Sequence, residues 1–413
     1  MKIIDVKIVL FLCCLVIVTA CGESGGLSYR SLDDCKQVAE LKQIGNNKVT
    51  VCDINLLKDT IVLPLSYFTE ELHIVKLDNK VEAFVSETGV TIGEKYILVT
   101  MGGISKVPYK LFDKSGKFIT NIGNFGKGPN EYNYACNIPQ LDEINNCIYL
   151  LPLLSSQIFV YDMIGNYLDP IGLSYRCTRA RMHVDLADSS VTIITVPLEK
   201  GRYSAPCFAW SQTVSGEMIH CLSPDFLSIE NHHVLGGWSD VYSNRNVKEL
   251  DFFINNSYKP RNDTLYHYDI KNNQIIPKFS VDFGKRQIPI HSYFELPYHY
   301  MGDICEKKEA EDLPGGYIAL CSKNFIVDKT NLKGSYFKLV NDFLGNIEID
   351  WPCRRFTNGY YSVNYEPVNL LELLENSLTN NTMIPEMREK LTDLKNSIKE
   401  TDNNYILYAK LKH

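Results

Sequence analysis

A tight basic cluster is the first group of residues in this sequence whose chemistry suits ligand binding. Arg176, Arg179 and Arg181 lie close together, and His183 follows two residues later. Arginine side chains bind carboxylate or phosphate groups through paired hydrogen bonds. Residues at this spacing cannot all share one face of a strand. The cluster therefore predicts either a solvated loop with local ion pairs or an anion-binding site.

A second candidate site surrounds the adjacent histidines His232 and His233. Histidines ligate metals or act as bases, but adjacent residues of a strand point to opposite faces, which disfavours a shared ion. Trp238 and Tyr242 follow in the sequence, and aromatic rings of this kind stack on sugars. Packing in the core or at its rim is the alternative for Trp238. We predict no metal site here and retain Trp238 as a candidate binding residue.

A glycine-rich segment from Ile122 to Tyr132 has some features of a phosphate-binding loop. Such a loop requires G-x-x-x-x-G-K-[ST] before a helix, whereas Pro129 follows Gly128 and the flanks read as strands. The glycines instead predict a connecting loop with an unusual backbone path. Glu131 and Tyr132 either hold this loop in place or face a ligand.

No motif assigns a catalytic residue. The acidic run at 306–312 lacks the D-x-[DN]-x-[DN]-G pattern of a calcium loop, so calcium has no support from a motif and no cofactor is predicted. The G-x-S-x-G nucleophile elbow is absent. Paired carboxylates for glycoside hydrolysis cannot be assigned, because their separation in space decides their roles.

The composition indicates a large folded domain built mainly from strands. The chain has 413 residues, of which 45% are hydrophobic, and it contains 25 Tyr and 18 Phe. Aromatic residues of this kind favour strands. With 42 Lys and Arg against 49 Asp and Glu, the net charge is -7. This balance argues against a nucleic-acid-binding protein.

The N-terminus predicts export and a lipid anchor. Lys2 and Lys7 precede an apolar run that is too short to cross a bilayer. The segment Val18-Thr19-Ala20-Cys21 resembles the lipobox of bacterial lipoproteins, which implies cleavage before Cys21 and lipidation of that residue. We predict a signal peptide at residues 1–20 and a tether at 21–44. The predicted location is the cell envelope, with the protein anchored by its lipid in the outer membrane. The sequence does not decide between the periplasmic and the surface face of that membrane.

Ten cysteines would remain after signal cleavage and lipidation. An exported chain permits disulfides, and the nearest plausible pairs are Cys35 with Cys52, Cys136 with Cys147, and Cys305 with Cys321. The sequence does not decide their connectivity. Mostly buried free thiols are the alternative.

Most of the chain reads as short strands separated by turns, with an internal repeat. Asp113 and Gly116 recur as Asp162 and Gly165 at the same spacing, each in a strand, D-x-x-G turn, strand pattern that closes a hairpin. Weaker copies have turns at 215–216, 272–273 and 345–346. A recurring unit of about 40–50 residues with four strands is typical of a propeller blade.

We therefore predict an all-β, six-bladed propeller over residues 45–413. Leu72 to Leu77 and Tyr405 to Leu411 would complete the sixth blade by joining both ends of the chain, which removes open edges. A helical insertion at about 367–400 precedes the closing strand, because apolar residues recur there at helical spacing.

The motif around Gly126-Lys127-Gly128-Pro129-Asn130-Glu131-Tyr132 resembles the G-x-G-P-x-E-Y segment of a Bacteroidetes family. That family comprises six-bladed β-propeller lipoproteins of unknown function related to NHL-repeat propellers. Asn262-Asp263-Thr264-Leu265-Tyr266 and the chain ending from Glu400 are similar to it as well. The same bacteria O-glycosylate Asp-Ser/Thr-apolar sites, which implies Thr60 and Thr264 as candidate positions.

These features predict a lipid-anchored binding module for a glycan, a peptide or an envelope protein, more plausibly a non-enzyme. The alternative is a metal-dependent hydrolase or lactonase with its site in the central channel of the propeller. We expect a monomer that binds the membrane through its lipid and does not bind nucleic acid. The candidate binding residues are Glu131, Tyr132, Arg176, Arg179, Arg181 and Trp238.

Overall fold

The computed structural model describes residues 31–85, 88–101, 107–126, 128, 131–132, 139–198, 205–223, 227–229, 239–256, 259–309, 317–381 and 383–413. Cys21 and the rest of the predicted signal peptide lie outside these residues. Four strands come first in the chain: β1 Ala39–Ile44, β2 Asn47–Asp53, β3 Thr60–Pro64 and β4 His73–Lys76. All four join sheets formed by later parts of the chain.

Blades 1 to 3 are consecutive four-stranded antiparallel sheets. Blade 1 contains β5 Thr88–Ile92, β6 Tyr96–Met101, β7 Tyr109–Asp113 and β8 Phe118–Ile122. A short parallel pair, β9 Asn124–Phe125 and β10 Glu131–Tyr132, leads to blade 2. Blade 2 contains β11 Gln140–Asp142, β12 Cys147–Leu150, β13 Gln157–Asp162 and β14 Ile171–Gly172. Blade 3 contains β15 Ala180–Asp185, β16 Ser190–Thr195, β17 Ala209–Thr213 and β18 Met218–Leu222.

Blades 4 and 5 are enlarged by the N-terminal strands. Blade 4 contains β19 Ser239–Tyr242, β20 Leu250–Asn256, β21 Thr264–Asp269 and β22 Gln274–Asp282. Blade 5 contains β23 Ile290–Glu295, β24 His299–Glu309, β25 Tyr317–Asp328, β26 Gly334–Asn341 and β27 Ile347–Glu348. Strand β2 pairs in parallel with β22, and β3 pairs in parallel with β26. Residues 39–44, which we assigned to the tether, form β1 at the edge of blade 4, so the folded region begins before residue 45.

Blade 6 joins the two ends of the chain. It contains β28 Phe356–Thr357, β29 Tyr360–Tyr365 and β30 Tyr405–Lys410, followed by the N-terminal β4. Tyr405 pairs with Lys76 and Tyr408 with His73 in antiparallel register. The predicted six-bladed propeller and its closure by both chain ends are therefore confirmed.

The predicted hairpin turns form as expected in blades 1 and 2. The Asp113 carboxylate accepts hydrogen bonds from the backbone N–H groups of Ser115 and Lys117, and Gly116 has a φ of 86°. Asp162 and Gly165 repeat this geometry. In blade 5 the predicted turn at 345–346 connects β26 to the extra strand β27 instead of the third strand to the fourth.

Six apolar clusters fill the six interfaces between neighbouring blades. One representative pair from each is Leu98 with Ile148, Tyr149 with Met182, Ile194 with Phe252, Phe253 with Tyr293, Phe294 with Phe356, and Ile97 with Ile406. Each blade thus buries both faces against its neighbours, and the ring is the folding unit. The first strands of adjacent blades also contact one another, as β11 with β15 and β15 with β19. These first strands therefore surround the central channel.

The helical insertion lies between β29 and β30. Its helices are α1 Pro367–Leu378 and α2 Pro385–Ser397. Leu370, Leu374 and Leu391 are fully buried in a cluster with Leu344 and Leu407. The helices predicted from the apolar spacing are therefore present, and they pack on blades 5 and 6. Among the described residues, no helix is long and apolar enough to cross a membrane.

The cysteines only partly follow the predicted pairs. Cys52 is a buried cysteine that forms no disulfide, so its predicted pairing with Cys35 is wrong. Cys147 is free, and Cys136 lies outside the described residues. Cys305 is disulfide-bonded, and Cys321 lies opposite it in the register of β24 and β25. A disulfide that the sequence did not indicate joins Cys207 to Cys221.

Candidate functional site

Charged and aromatic side chains from several blades meet beside the channel, in what we call the channel cluster. It consists of Arg181, Asp240, Tyr242, Asp303, Trp351 and Arg354. Arg181 lies on the first strand of blade 3, and Asp240 and Tyr242 lie two positions apart on the first strand of blade 4. Alternate residues of a strand share a face, so Asp240 and Tyr242 project to the same side. The Arg181 Nη2 atom lies 3.4 Å from Asp240 Oδ2.

Arg354 reaches the cluster from the connection between blades 5 and 6. Its guanidinium carbon lies 5.1 Å from the centre of the Trp351 ring and 5.5 Å from that of the Tyr242 ring. Its Nε donates a 2.9 Å hydrogen bond to Asp303 Oδ2 on β24. Partial burial disfavours the charged form of Arg354, but the Asp303 carboxylate outweighs this and raises the pKa of the guanidinium. The arginine is therefore a fixed cation in contact with two aromatic rings.

Trp351 presents an aromatic surface to solvent at this position. The residue is 41% exposed and has a left-handed backbone, with φ of 54° and ψ of 48°. A bulky residue with positive φ is uncommon and costs conformational energy. Pro352 and Cys353 follow it and are buried, which anchors the turn that carries both Trp351 and Arg354. The strained turn holds the tryptophan ring against the arginine.

The Tyr242 hydroxyl lies in the combined field of two arginines and two aspartates. Burial raises the pKa of Tyr242, Asp240 and Asp303 raise it further, and Arg354 and Arg181 oppose the shift. Within the described residues this hydroxyl makes no hydrogen bond. Arg181 Nε and Asp303 Oδ1 are also buried, and neither atom has a hydrogen-bond partner among the described residues. The cluster thus offers unfilled donors and acceptors beside an exposed aromatic ring.

This arrangement suits recognition better than acid–base or metal chemistry. Each aspartate of the cluster forms an ion pair with an arginine, Asp240 with Arg181 and Asp303 with Arg354. Across the described residues, no group of three or more His, Cys, Asp or Glu side chains is placed to hold a metal ion. Aromatic rings combined with fixed polar groups bind hydroxyl-rich or charged ligands.

The predicted basic cluster is divided by the fold. Arg181 is 6% exposed and belongs to the channel cluster. Arg176 is exposed, and its Nε donates to the carbonyl of Leu154. Arg179 is half-buried, and its carbonyl accepts from the side chain of Thr195. The three arginines therefore do not form one anion-binding group.

Glu131 and Tyr132 hold the glycine-rich loop in place. Glu131 Oε2 accepts a 2.7 Å hydrogen bond from the N–H of Gly128. Tyr132 is 3% exposed, and its hydroxyl accepts from the N–H of Tyr109 and donates to the carbonyl of Ile122. The structure therefore places Tyr132 in the interface between blades 1 and 2, away from any ligand-binding surface.

The other candidates are placed as follows. Trp238, His232 and His233 lie outside the described residues. Thr60 is exposed on β3, which meets the access requirement for modification, whereas Thr264 is half-buried within blade 4. Glu306 is exposed on β24, in agreement with a solvated acidic run.

Asp303, Trp351 and Arg354 were missed by sequence reasoning. Asp303 reads as an ordinary strand residue, and Arg354 stands beside Arg355 in a segment without a known motif. The only available signal was Trp351, one of 3 tryptophans in the chain, next to a Pro-Cys-Arg-Arg turn. Their meeting with Arg181 depends on closure of the ring.

The chain belongs to a family of six-bladed propellers of unknown function. The family model described as "Domain of unknown function (DUF4934)" matches residues 49–410. The resemblance predicted from the glycine-rich motif and the chain ending is thus confirmed. No curated protein matches this sequence.

Two solved structures from Bacteroides align with this chain, and the first of them shares its fold. A Bacteroides fragilis protein whose name marks it as a candidate for export aligns with a TM-score of 0.56 and 14% identity, over 88% of this chain and all of that one. A member of the DUF4221 family from Bacteroides vulgatus aligns with a TM-score of 0.47 and 12% identity, over 83% of this chain and 97% of that one. At these identities the likeness concerns the fold alone.

Proposed function

We propose that this protein is an exported, lipid-anchored binding module that captures a glycan or a peptide at the channel cluster. The observation that carries the proposal is the placement of Arg354 against both Trp351 and Tyr242, where the Tyr242 hydroxyl makes no hydrogen bond with any described residue. A sugar ring or an aromatic or proline side chain stacks on Trp351, and its polar groups bind Tyr242 and Arg181.

A rigid ring suits capture because its ligand contacts are fixed before binding. Asp303 and Asp240 orient the two arginines, so little conformational entropy is lost when a ligand binds. The two ion pairs also keep the cluster close to neutral, which favours a hydroxyl-rich or zwitterionic ligand over a highly charged one.

A ligand panel tests this proposal. Purified protein lacking the first 26 residues is heated with host and plant polysaccharides and with peptide pools, since a ligand that binds the native state raises the melting midpoint. The dissociation constant of the best ligand is then measured by calorimetry. We expect Trp351→Ala to weaken binding about tenfold and Tyr242→Phe about threefold to tenfold, because each removes one stacking or hydrogen-bonding contact.

Tyr298→Phe is the matched control. Tyr298 is 51% exposed on the loop between β23 and β24, at the other end of the channel. The Tyr298→Phe variant loses the same kind of hydroxyl group but leaves the cluster unchanged. We expect it to bind the ligand as tightly as the unaltered protein does. Equal affinity in all three variants would rule out the channel cluster as the ligand site.

The lipid anchor is tested separately in bacterial cells. Cys21 follows the small-residue cleavage motif, and lipidation at this position would hold the propeller on the membrane. An alkyne fatty acid fed to the cells should label the unaltered protein, and Cys21→Ser should remove the label and release the protein from the membrane fraction. Labelling that persists in Cys21→Ser would contradict the anchor.

A further inference from the structure

A cavity lies at the opposite end of the channel from the connection that carries Trp351 and Arg354. It has a volume of about 460 Å³ and lies among the loops that join the first two strands of blades 4, 5 and 6. We call it the lower pocket. Its polar and rim residues are Arg245, Asn246, Lys248, Pro297, Asn358 and His413. A cavity of this size accommodates a small organic ligand.

The walls of the lower pocket are fixed by hydrogen bonds between three blades. The Asn246 side chain donates to the carbonyls of Phe356 and Glu295, at 3.0 and 3.3 Å, and accepts from the N–H of Gly359 at 3.0 Å. The N–H of Asn358 donates to the carbonyl of Asn244 at 2.8 Å. Three loops are thus held together before any ligand arrives.

Two residues that line the pocket have strained backbones. Arg245 has a φ of 51° and Asn358 a φ of 54°. Asparagine tolerates this conformation in a tight hairpin turn, where Gly359 follows it with a φ of 77°. Arginine has no such local reason, and strained non-glycine residues of this kind cluster at binding sites. The backbone of Arg245 is itself held by the Asp251 carboxylate, which accepts from its N–H at 2.9 Å.

The side chains that line the pocket carry positive charge and spare hydrogen-bond donors. Arg245 donates to the carbonyl of Met182, the only hydrogen bond that its guanidinium makes with the described residues. Lys248 is exposed and makes no ion pair or hydrogen bond with any residue that the structure describes. Among the described residues, no acidic side chain lines the cavity. Burial lowers the pKa of Arg245 to about 10, and Arg181 contributes to this shift against the opposing charge of Asp251, so Arg245 remains cationic at neutral pH.

We propose that the lower pocket binds a small ligand through anionic oxygens, either a carboxylate or a phosphate group. An arginine and a lysine around one cavity supply paired and single hydrogen bonds to such a group, and the amide side chain of Asn358 supplies a neutral polar contact. This site is distinct from the channel cluster and does not depend on the function proposed for it.

Calorimetric titration with inorganic phosphate and with glucuronate tests the lower pocket. Glucuronate carries a carboxylate on a sugar-sized body, so the two probes distinguish the two sources of anionic oxygen. We expect at least one probe to bind, and Lys248→Glu to weaken that binding more than tenfold, because the substitution places a negative charge at the pocket. Arg245 is left unaltered because its contact with Met182 supports the fold.

Two control variants keep the result interpretable. Lys58→Glu makes the same charge change at an exposed position away from the pocket. The affinity of this variant for the probe should match that of the unaltered protein. Trp351→Ala disrupts the channel cluster and should leave binding of the probe unchanged. Absence of binding by both probes at about 10 mM, equal weakening in Lys58→Glu, or loss of binding in Trp351→Ala would each overturn the proposal.

Discussion

At the scale of single residues, Asp402 joins the two ends of the chain. Its carboxylate accepts hydrogen bonds from the side chains of Lys76, Asn79 and Tyr405 and from the N–H of Lys399, at 2.7 to 3.0 Å. Burial raises the pKa of this carboxyl, but the donors, Lys76 first, more than offset the effect and hold the pKa well below its usual range. The charged form is therefore more stable in the folded protein than in the unfolded chain.

Replacement of Asp402 should destabilise the ring in a pH-dependent manner. We expect Asp402→Asn to lower the free energy of unfolding by about 2–3 kcal/mol at pH 7, the usual value of hydrogen bonds to a charged group. Because the folded pKa is depressed, the stabilisation is present above the unfolded pKa of about 3.9 and is lost as the pH falls below it. Urea unfolding at neutral pH and at about pH 3 should show the difference between variant and unaltered protein narrowing in acid.

Asp169→Asn is the control for this experiment, since Asp169 is exposed and makes no hydrogen bond or ion pair with the described residues. Its stability should match the unaltered protein at both pH values. A deficit in Asp402→Asn that stays constant with pH would show that the lost charge is not the cause.

At the scale of elements, the hairpin turns are what the sequence specifies best. The D-x-x-G pattern predicted β7–β8 and β13–β14, because an aspartate that accepts two backbone N–H groups and a glycine with positive φ define the turn locally. Strand β1 was missed because most of its residues are exposed, so it lacks the apolar alternation that marks a half-buried strand. Its position depends on β2, which pairs with β22 from a distant part of the chain.

Two turn glycines, Gly116 and Gly216, allow the effect of backbone conformation to be distinguished from the effect of contact with a neighbouring blade. Gly116 and Gly216 have similar φ values of 86° and 96°. A Cβ atom added at Gly116 would clash with the carbonyl of Lys76, whereas a Cβ atom added at Gly216 would have open space around it. We expect Gly216→Ala to lower the free energy of unfolding by about 1–2 kcal/mol, because alanine disfavours the left-handed backbone. Gly116→Ala should lower it by about 1–3 kcal/mol more, because the new methyl group clashes with blade 6. Chemical denaturation measures both. Equal losses would contradict a close approach between blades 1 and 6.

At the scale of the whole molecule, the ring assembles what no local pattern reveals. Arg181 was identified from the sequence as part of a basic cluster, yet its actual neighbours come from other blades, and Arg176 and Arg179 do not accompany it. Asp303 and Arg354 are 51 residues apart and meet because the connection between blades 5 and 6 packs beside β24. The propeller could be predicted because each blade repeats a local pattern, whereas the channel cluster could not, because it lies where different repeats converge.

The crystal structure of the protein with the ligand that most raises its melting midpoint tests the central claim most directly. We predict that the ligand lies against the exposed face of Trp351 and that one of its polar atoms accepts or donates a hydrogen bond at the Tyr242 hydroxyl, at about 2.7–3.0 Å. A ligand seated elsewhere on the propeller, with the channel cluster unchanged and unoccupied, would contradict the claim that this cluster is the binding site.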